Sequence, residues 1–226
     1  MTNYKDIKRI PIVAGDVPNL DTAKTTTGTF ADARLSNPTI PNKVAGTNFT
    51  NSLLVGHSTT GTLSGSHSNT GVGVYALDAL TSAAQNTAVG LSAGSAITSG
   101  ASNTALGSGA LTTSSTTSHN TAIGRQSLKL TTGTGNTALG RDAGEIIAAG
   151  SYNICIGKDA GDNITSGDSN VIIGSIDAGS ATGDKQLIIA DGEDGSVKWI
   201  SGDSSGTVSA NGGELTTTGK ALVMGF

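Results

Sequence analysis

The sequence predicts an all-β protein: a parallel β-solenoid, a β-roll of about nine coils of 16–17 residues. Three observations carry that expectation: a pentad at fixed spacing, a small-residue element at a fixed offset behind it, and a composition too poor in large apolar side chains for an ordinary globular core. The pentad N-T-G-V-G opens at Asn69, N-T-A-V-G at Asn86, N-T-A-L-G at Asn103 and N-T-A-I-G at Asn120. It continues as N-T-A-L-G from Asn136, N-I-C-I-G from Asn153 and N-V-I-I-G from Asn170, so the steps are 17, 17, 17, 16, 17 and 17. Moving back by 17 reaches Ser52 and S-L-L-V-G, and moving forward by 16 reaches Gln186 and Q-L-I-I-A. Nine copies therefore span Ser52 to Ala190. A unit this short cannot hold the helix pairs of ankyrin or tetratricopeptide arrays.

The second element reads Ala76-Leu77, Ala93-Gly94, Ala110-Leu111, Ser127-Leu128, Ala143-Gly144 and Ala160-Gly161; Ala178-Gly179 is displaced by one residue, which calls for a longer turn there. Ser, Thr, Gly and Asn clusters between the elements supply turn chemistry. Each coil is expected to be a short strand, a tight bend, a weaker second strand and a return loop, forming a flattened two-sided roll. A hexapeptide helix is excluded, because counting six from Val89 reaches Ser95 and then Ala101 rather than aliphatic residues. Eight steps at the strand spacing of ~4.8 Å give a rod of roughly 38 Å.

Composition agrees. Gly (33), Thr (32) and Ser (26) dominate, while Leu, Ile, Val and Phe together number 47 of 226 residues, close to the boundary below which chains remain disordered. Charged residues are only 13%, unlike a solvated, self-repelling tail. The net charge of −4 leaves no basic patch for nucleic acid. No apolar run approaches a membrane span. The N-terminus lacks the apolar stretch of a signal peptide, and the single Cys155 forms no intrachain disulfide. Synthesis without export follows as an expectation, with no membrane insertion.

Strand alternation assigns the side chains. In N-T-A-I-G, Thr and Ile share one face, and Asn, Ala and Gly the other. The Ala position, later Cys155 and Ile172, is an interior site of limited size. The Thr position becomes Ile154, Val171 and Leu187, so late strands are apolar on both faces, the mark of a strand buried on both sides. A thin roll has one inside, so Val89, Leu106, Ile123, Leu139, Ile154, Ile156, Val171, Ile173, Leu187 and Ile189 are expected in core or self-association packing. The partner expected on that face is another copy of the chain.

These coils resemble the head repeats of trimeric autotransporter adhesins, the YadA-like left-handed β-roll. They are still more similar to fibre proteins of bacterial viruses, particularly marine tailed phages, in which N-T-A-[VIL]-G-x-x-A-G coils are common. V-P-N-L-D-T-A-K and T-G-T-F-A-D-A-R-L within Ile12 to Leu35 add to the likeness, as does V-K-W-I-S-G-D-S-S-G-T-V from Val197 to Val208. The resemblance implies a left-handed coil, an intertwined homotrimer around one axis, and a place on the virion after assembly in the host cytoplasm. Bacterial adhesins need a signal peptide, a heptad stalk and a membrane anchor, which favours the virus. The implied function is a tail fibre in host-surface attachment; a capsid decoration or head fibre is the alternative, and an ice-binding solenoid a more distant one.

The expected organisation is residues 1–51 as an extended, mostly irregular segment attaching to other virion proteins, 52–190 as the roll, and 191–226 as a β cap or tip. The first segment holds all four prolines, Pro11, Pro18, Pro38 and Pro41. Val197 to Ile200 and Ala221 to Phe226 are the strand-like runs of the last, which would cover the open solenoid end.

The Asn ladder at 69, 86, 103, 120, 136, 153 and 170 is read as stacked amides satisfying one another and the turn before each strand, rather than a glycan-contacting row. The Thr ladder at 70, 87, 104, 121 and 137 lacks the T-x-T pairing of ice-binding faces. Asp191-Gly-Glu-Asp-Gly195 departs from calcium-loop patterns, and His57, His67 and His119 lack metal-ligand spacing. Asp142 and Asp159 should stack, but Arg141 and Lys158 beside them favour charge compensation over paired-carboxylate catalysis. No enzymatic activity, cofactor or metal is expected. Trp199, the sole Trp, is the candidate contact to a host-surface glycan or protein.

Overall fold

The structure, a computed structural model, describes residues 42–46, 49–55, 64–210 and 213–215. Among them there is no helix. Nine rungs stack in parallel, the seven between the first and the last being three-residue strands. They are β2 (Phe49–Val55), β4 (Thr70–Val72), β5 (Thr87–Val89), β6 (Thr104–Leu106), β7 (Thr121–Ile123), β8 (Thr137–Leu139), β9 (Ile154–Ile156), β10 (Val171–Ile173) and β11 (Leu187–Ala190). Register follows the repeat: Leu53 pairs with Thr70, Thr70 with Thr87, and so on to Val171 with Leu187. The 16-residue step is absorbed without slippage, since Thr121 still pairs with Thr137. Both outlying copies, at Ser52 and Gln186, are genuine rungs.

The expected second strand is not there. Residues behind each rung form a chain of turns, because two positions per coil take left-handed φ: Tyr75 and Leu77, Ser92 and Gly94, Gln126 and Leu128, Asp142 and Gly144, Asp159 and Gly161. Alternating signs of φ cannot make an extended ladder. What remains is a set of inter-coil bonds outside any strand ladder, such as Gly94 N–H to Ala110 O at 2.8 Å and Gly144 N–H to Ala160 O at 2.9 Å. The displaced copy at Ala178 does lie in an altered turn. There the Asn163 amide stands in for backbone, its Nδ2 donating to Ala178 O and its Oδ1 accepting the Ala178 N–H, each at 2.9 Å.

The core is narrow and volume-matched. Ala88, Ala105, Ala122, Ala138, Cys155 and Ile172 point inward and are fully or almost fully buried. They face Ala76, Ala93, Ala110, Ala143 and Ala160 from the turn side. A third column balances the second. Where the turn carries Gly94, Gly144 or Gly161, the residue three later is Ile97, Ile147 or Ile164; where it carries Leu111 or Leu128, that residue is Ser114 or Thr131; the coil of Leu77 keeps a second leucine, Leu80, and has Gly71 in place of the inward Ala. An added Cβ at Gly94 would lie 2.9 Å from Ile97 Cδ1, and at Gly144 2.8 Å from Ile147 Cδ1. Interiors tolerate redistribution of volume far better than its increase.

Antiparallel strands close both ends of the parallel stack. β1 (Asn42–Gly46) pairs antiparallel with β2, and β3 (Ser66–His67) pairs with the start of β2 off the main path. At the other end β12 (Lys198–Gly202), β13 (Val208–Ala210) and β14 (Gly213–Leu215) form an antiparallel meander on β11. Residues 42–46 and 49–51, expected within an irregular segment, are therefore strands, and β2 crosses the boundary drawn at 51/52. The run Ala221 to Phe226, the part of the expected attachment segment before residue 42, and His57 lie outside the described residues.

Candidate functional site

The Asn ladder is internal. All seven side chains are buried. The Oδ1 of each accepts the backbone N–H of the next at 2.9–3.0 Å, from Asn69 to Asn170, and Asn170 Oδ1 accepts the Gln186 N–H at 2.8 Å. Ser52 Oγ begins the series by accepting the Asn69 N–H at 2.8 Å. The amide Nδ2 reaches across the coil to the return loop: Asn86 to Gly100 O, Asn103 to Thr117 O and Asn153 to Gly167 O, each at 2.9 Å. The amide thus joins each rung to the next and closes its own coil. With these amides buried and spent, no glycan reaches them.

The residues expected in core or self-association packing all lie on the opposite, outward face, so none of them belongs to the chain's own core. The period-2 alternation puts Thr and the following aliphatic residue outside whenever Ala is inside. Leu106 and Leu139 are 45% and 46% exposed and Ile154 is 38% exposed, while Val89, Ile123, Ile156, Val171, Ile173, Leu187 and Ile189 are half-buried. Two outward columns run the whole stack without a charged side chain. One is Leu53, five Thr, then Ile154, Val171 and Leu187; the other is aliphatic from Val55 to Ile189.

Trp199 is 53% exposed at a β-bulge, where β12 inserts it between Lys198, opposite Ala190, and Ile200, opposite Ile189. Bulges re-aim side chains, and this one presents the indole at the edge of the last parallel rung. Tyr75 and Tyr152 are also exposed; sequence reasoning passed over them because residue type varies from coil to coil at their positions, where only the left-handed φ recurs.

Charges gather on the turns behind β7 to β9. Arg125 Nη2 lies 3.0 Å from Asp142 Oδ2, which also accepts from Arg141; Arg141 Nη2 is 3.1 Å from Asp159 Oδ1, and Lys158 Nζ 3.2 Å from Asp159 Oδ2. Lys129 Nζ contacts Glu145 Oε1 at 2.8 Å. The acids stack one coil apart as expected, interleaved with cations rather than paired with each other.

An open depression of about 310 Å³ follows, lined by Asp159, Asp162, Ser175, Ile176, Asp177 and Asp194. Burial pushes the Asp162 carboxyl up to about 7, helped by its hydrogen bond to Asp177 and by the charges of Asp177, Asp159 and Glu145. Of these neighbours, Asp159 is held by Arg141 and Lys158, and Glu145 by Lys129. Folded Asp162 retains a proton that the unfolded chain loses above its ordinary 3.8. The stability it contributes is full below that value and is lost as pH rises towards about 7. Asp177→Asn is expected to flatten the melting temperature against pH across this window; an unchanged slope would dismiss the pair as its source.

Asp191 works in the opposite sense. Its Oδ1 accepts the N–H groups of Glu193, Asp194 and Gly195 at 3.0–3.1 Å, and its Oδ2 that of Val197 at 2.7 Å. The bonds to Val197 and Asp194 lead in lowering its pKa to about 2, so its contribution holds at higher pH and is lost as pH falls from 3.8 towards that value. A carboxylate spent on its own loop in this way has little left for a cation. Among the described residues no group of three or more His, Cys, Asp or Glu is placed to hold a metal. His67 and His119 are exposed, and Cys155 is buried, its thiol pushed up to about 12 by desolvation.

The class defined by these features is a parallel β-solenoid closed at both ends by antiparallel strands, with a buried amide ladder and an uncharged outer sheet face. Comparison with protein-family models, curated proteins and solved structures gives no match.

Proposed function

We propose that this chain is a non-enzymatic structural protein of a virion, a homotrimeric phage tail fibre or fibre-like appendage that acts in attachment to the host surface. The observation that carries the reading is the uncharged outer face. A monomer would leave one aliphatic column along every rung, and a second that is Thr in five rungs and aliphatic in four, partly open to water, and an uncharged patch of a few hundred Å² is often an interaction site. Each chain carries the face at one rise per rung, so copies turned about an axis parallel to the stack bring rung against rung.

Nine rungs at ~4.8 Å and a width of about 10 Å give roughly 400 Å² of face per chain. Shared among copies around an axis, that face is a modest interface, so the threefold count rests on the likeness of the coils to trimeric β-roll heads. Three copies also triple weak host contacts, and linked weak sites gain ~10²–10⁴ in avidity. Trp199, exposed at the end of the parallel stack, is the side chain proposed to meet a host glycan or protein, with residues 1–51 joining other virion proteins.

Light scattering of the purified chain, before and after boiling in detergent, tests the assembly. The expected mass is three times the 22.2 kDa chain, persisting until boiling; a stable monomer would refute the trimer. Antibody labelling of virions tests the placement. Label at the tail supports the fibre, and label over the head shell replaces it with a capsid decoration or head fibre.

A further inference from the structure

We propose that the Asp162–Asp177 carboxyl pair is a proton-held clip. It fastens the altered turn, and the 191–197 loop resting on that turn, to the coil of β9, so that the seating of Trp199 depends on pH. The proposal rests on the host-contact reading of Trp199 for its use, while the clip itself is a property of the chain alone.

The geometry singles this pair out. The neighbouring acids each have a cation: Asp142 has Arg125 and Arg141, Asp159 has Arg141 and Lys158, and Glu145 has Lys129. Among the described residues no Lys or Arg pairs with Asp162 or Asp177, which hydrogen-bond to each other instead. Two carboxyl groups in contact cannot both ionise without repulsion, so the pair keeps a proton between them. They span the junction that the Asn163 amide also spans, through both its bonds to Ala178. Beside them Gly161 N–H donates to Ile176 O at 2.8 Å.

The altered turn is in its turn the seat of the loop before β12. Ser175 N–H donates to Asp191 O at 3.0 Å. Gly195 packs so closely on Ser175 and Ile176 that an added Cβ would meet the Ser175 carbonyl. Asp191 N–H donates to Val197 O at 3.0 Å, two residues before Trp199. A shift of residues 175–178 therefore reaches the indole through backbone contacts.

Charge sets the direction of the switch. Facing Asp162 are Asp159 on its own turn, Glu145 on the preceding coil and Asp177 on the altered turn. Asp194, from the loop, lines the same depression. With its proton the pair attracts; without it, Asp162 and Asp177 repel across the junction, and Asp194 adds a third negative charge. The Asp162 carboxyl titrates at about 7, so the clip is closed in mild acid and opens as pH rises through that value.

Trp199 is the sole Trp, so its fluorescence reads the loop directly. The full chain is titrated between about pH 5.5 and 8.5, with a chelator present so that no divalent cation stands in for the proton. Trp199 emission is expected to change with a midpoint near 7. Exchange of the Gly161 and Ala178 amide hydrogens, corrected for the intrinsic rate, is expected to quicken by at least ~10-fold over the same range. Asp177→Asn and Asp162→Asn each remove the repulsion and keep a hydrogen-bonding partner. Both are expected to hold the low-pH emission throughout, with unchanged circular dichroism. A flat emission in the parent overturns the clip. So does a transition that survives in either folded variant, as titration of the exposed His67 and His119 would give. The readout needs no host ligand, so a failed clip leaves the host-contact reading standing, and a host contact placed elsewhere leaves the clip standing.

Discussion

Gly124→Ala is expected to destabilise the solenoid by roughly 4 kcal/mol or more, among the largest effects of any single methyl group in this chain. Gly124 ends the β7 rung at φ +138°, a conformation essentially closed to residues with a Cβ. An added Cβ would stand 2.1 Å from Gly140 O and 2.5 Å from Gly140 C. Both atoms are backbone, so no rotamer change relieves the clash, and the coils would have to separate. The same glycine-over-glycine contact recurs at Gly107 and Gly140, which is why the pentad ends in Gly at each of these rungs. Gly192→Ala is the control: nothing lies within 4 Å of its Cβ, and its stability is expected to stay within about 0.5 kcal/mol. Denaturant unfolding of the two variants and the parent measures the difference, and equal midpoints would dismiss the contact as a constraint.

Asn103→Ala is expected to cost about 3 kcal/mol, from unpaired buried groups and a small cavity together. It removes the acceptor of the Asn120 N–H at 3.0 Å, the donor to Asn86 Oδ1 at 3.0 Å and the donor to Thr117 O at 2.9 Å. The Asn120 N–H and Asn86 Oδ1 are buried and have no water to turn to, while Thr117 O is partly buried. Were the amide a surface ligand instead, the same substitution would leave the melting temperature unchanged. Thermal melts therefore separate a structural ladder from a binding row.

Much of the fold was legible because a solenoid writes its architecture as a period. The 17-residue spacing located every parallel rung, including Ser52 and Gln186 where Asn is absent, and the single 16-residue step cost no register. The inward Ala column, with Cys155 and Ile172, was readable from alternation alone. The second strand was misread: Ala-Leu and Ala-Gly look like weak strand residues, but Leu77, Leu111 and Leu128 adopt left-handed φ. Propensity counsels against leucine there, and burial of its side chain overrides it. The compensation of Gly94 by Ile97, and of Leu111 by Ser114, also escaped notice, since it appears only when residues three apart are known to fill one cross-section.

The candidate sites divide in the same way. The Asn ladder was visible as a column, whereas the Asp162–Asp177 pair was not, because the altered turn before Ala178 breaks the period that would have aligned the two acids. The exposed Trp199 depended on a bulge in β12 that no periodicity announces.

Residue order alone determined that the chain coils, how many rungs it stacks and which side chains share a face, because each is a local, repeated consequence of strand geometry. Three-dimensional packing decided the rest: that one side of the coil is turns rather than strand, that the Asn amides are internal, and that the aliphatic columns face outward. Those outcomes depend on which coil lies beside which, and on whether a face finds a partner within the chain. A linear pattern records what alternates; only the closed coil says which side of the alternation is enclosed.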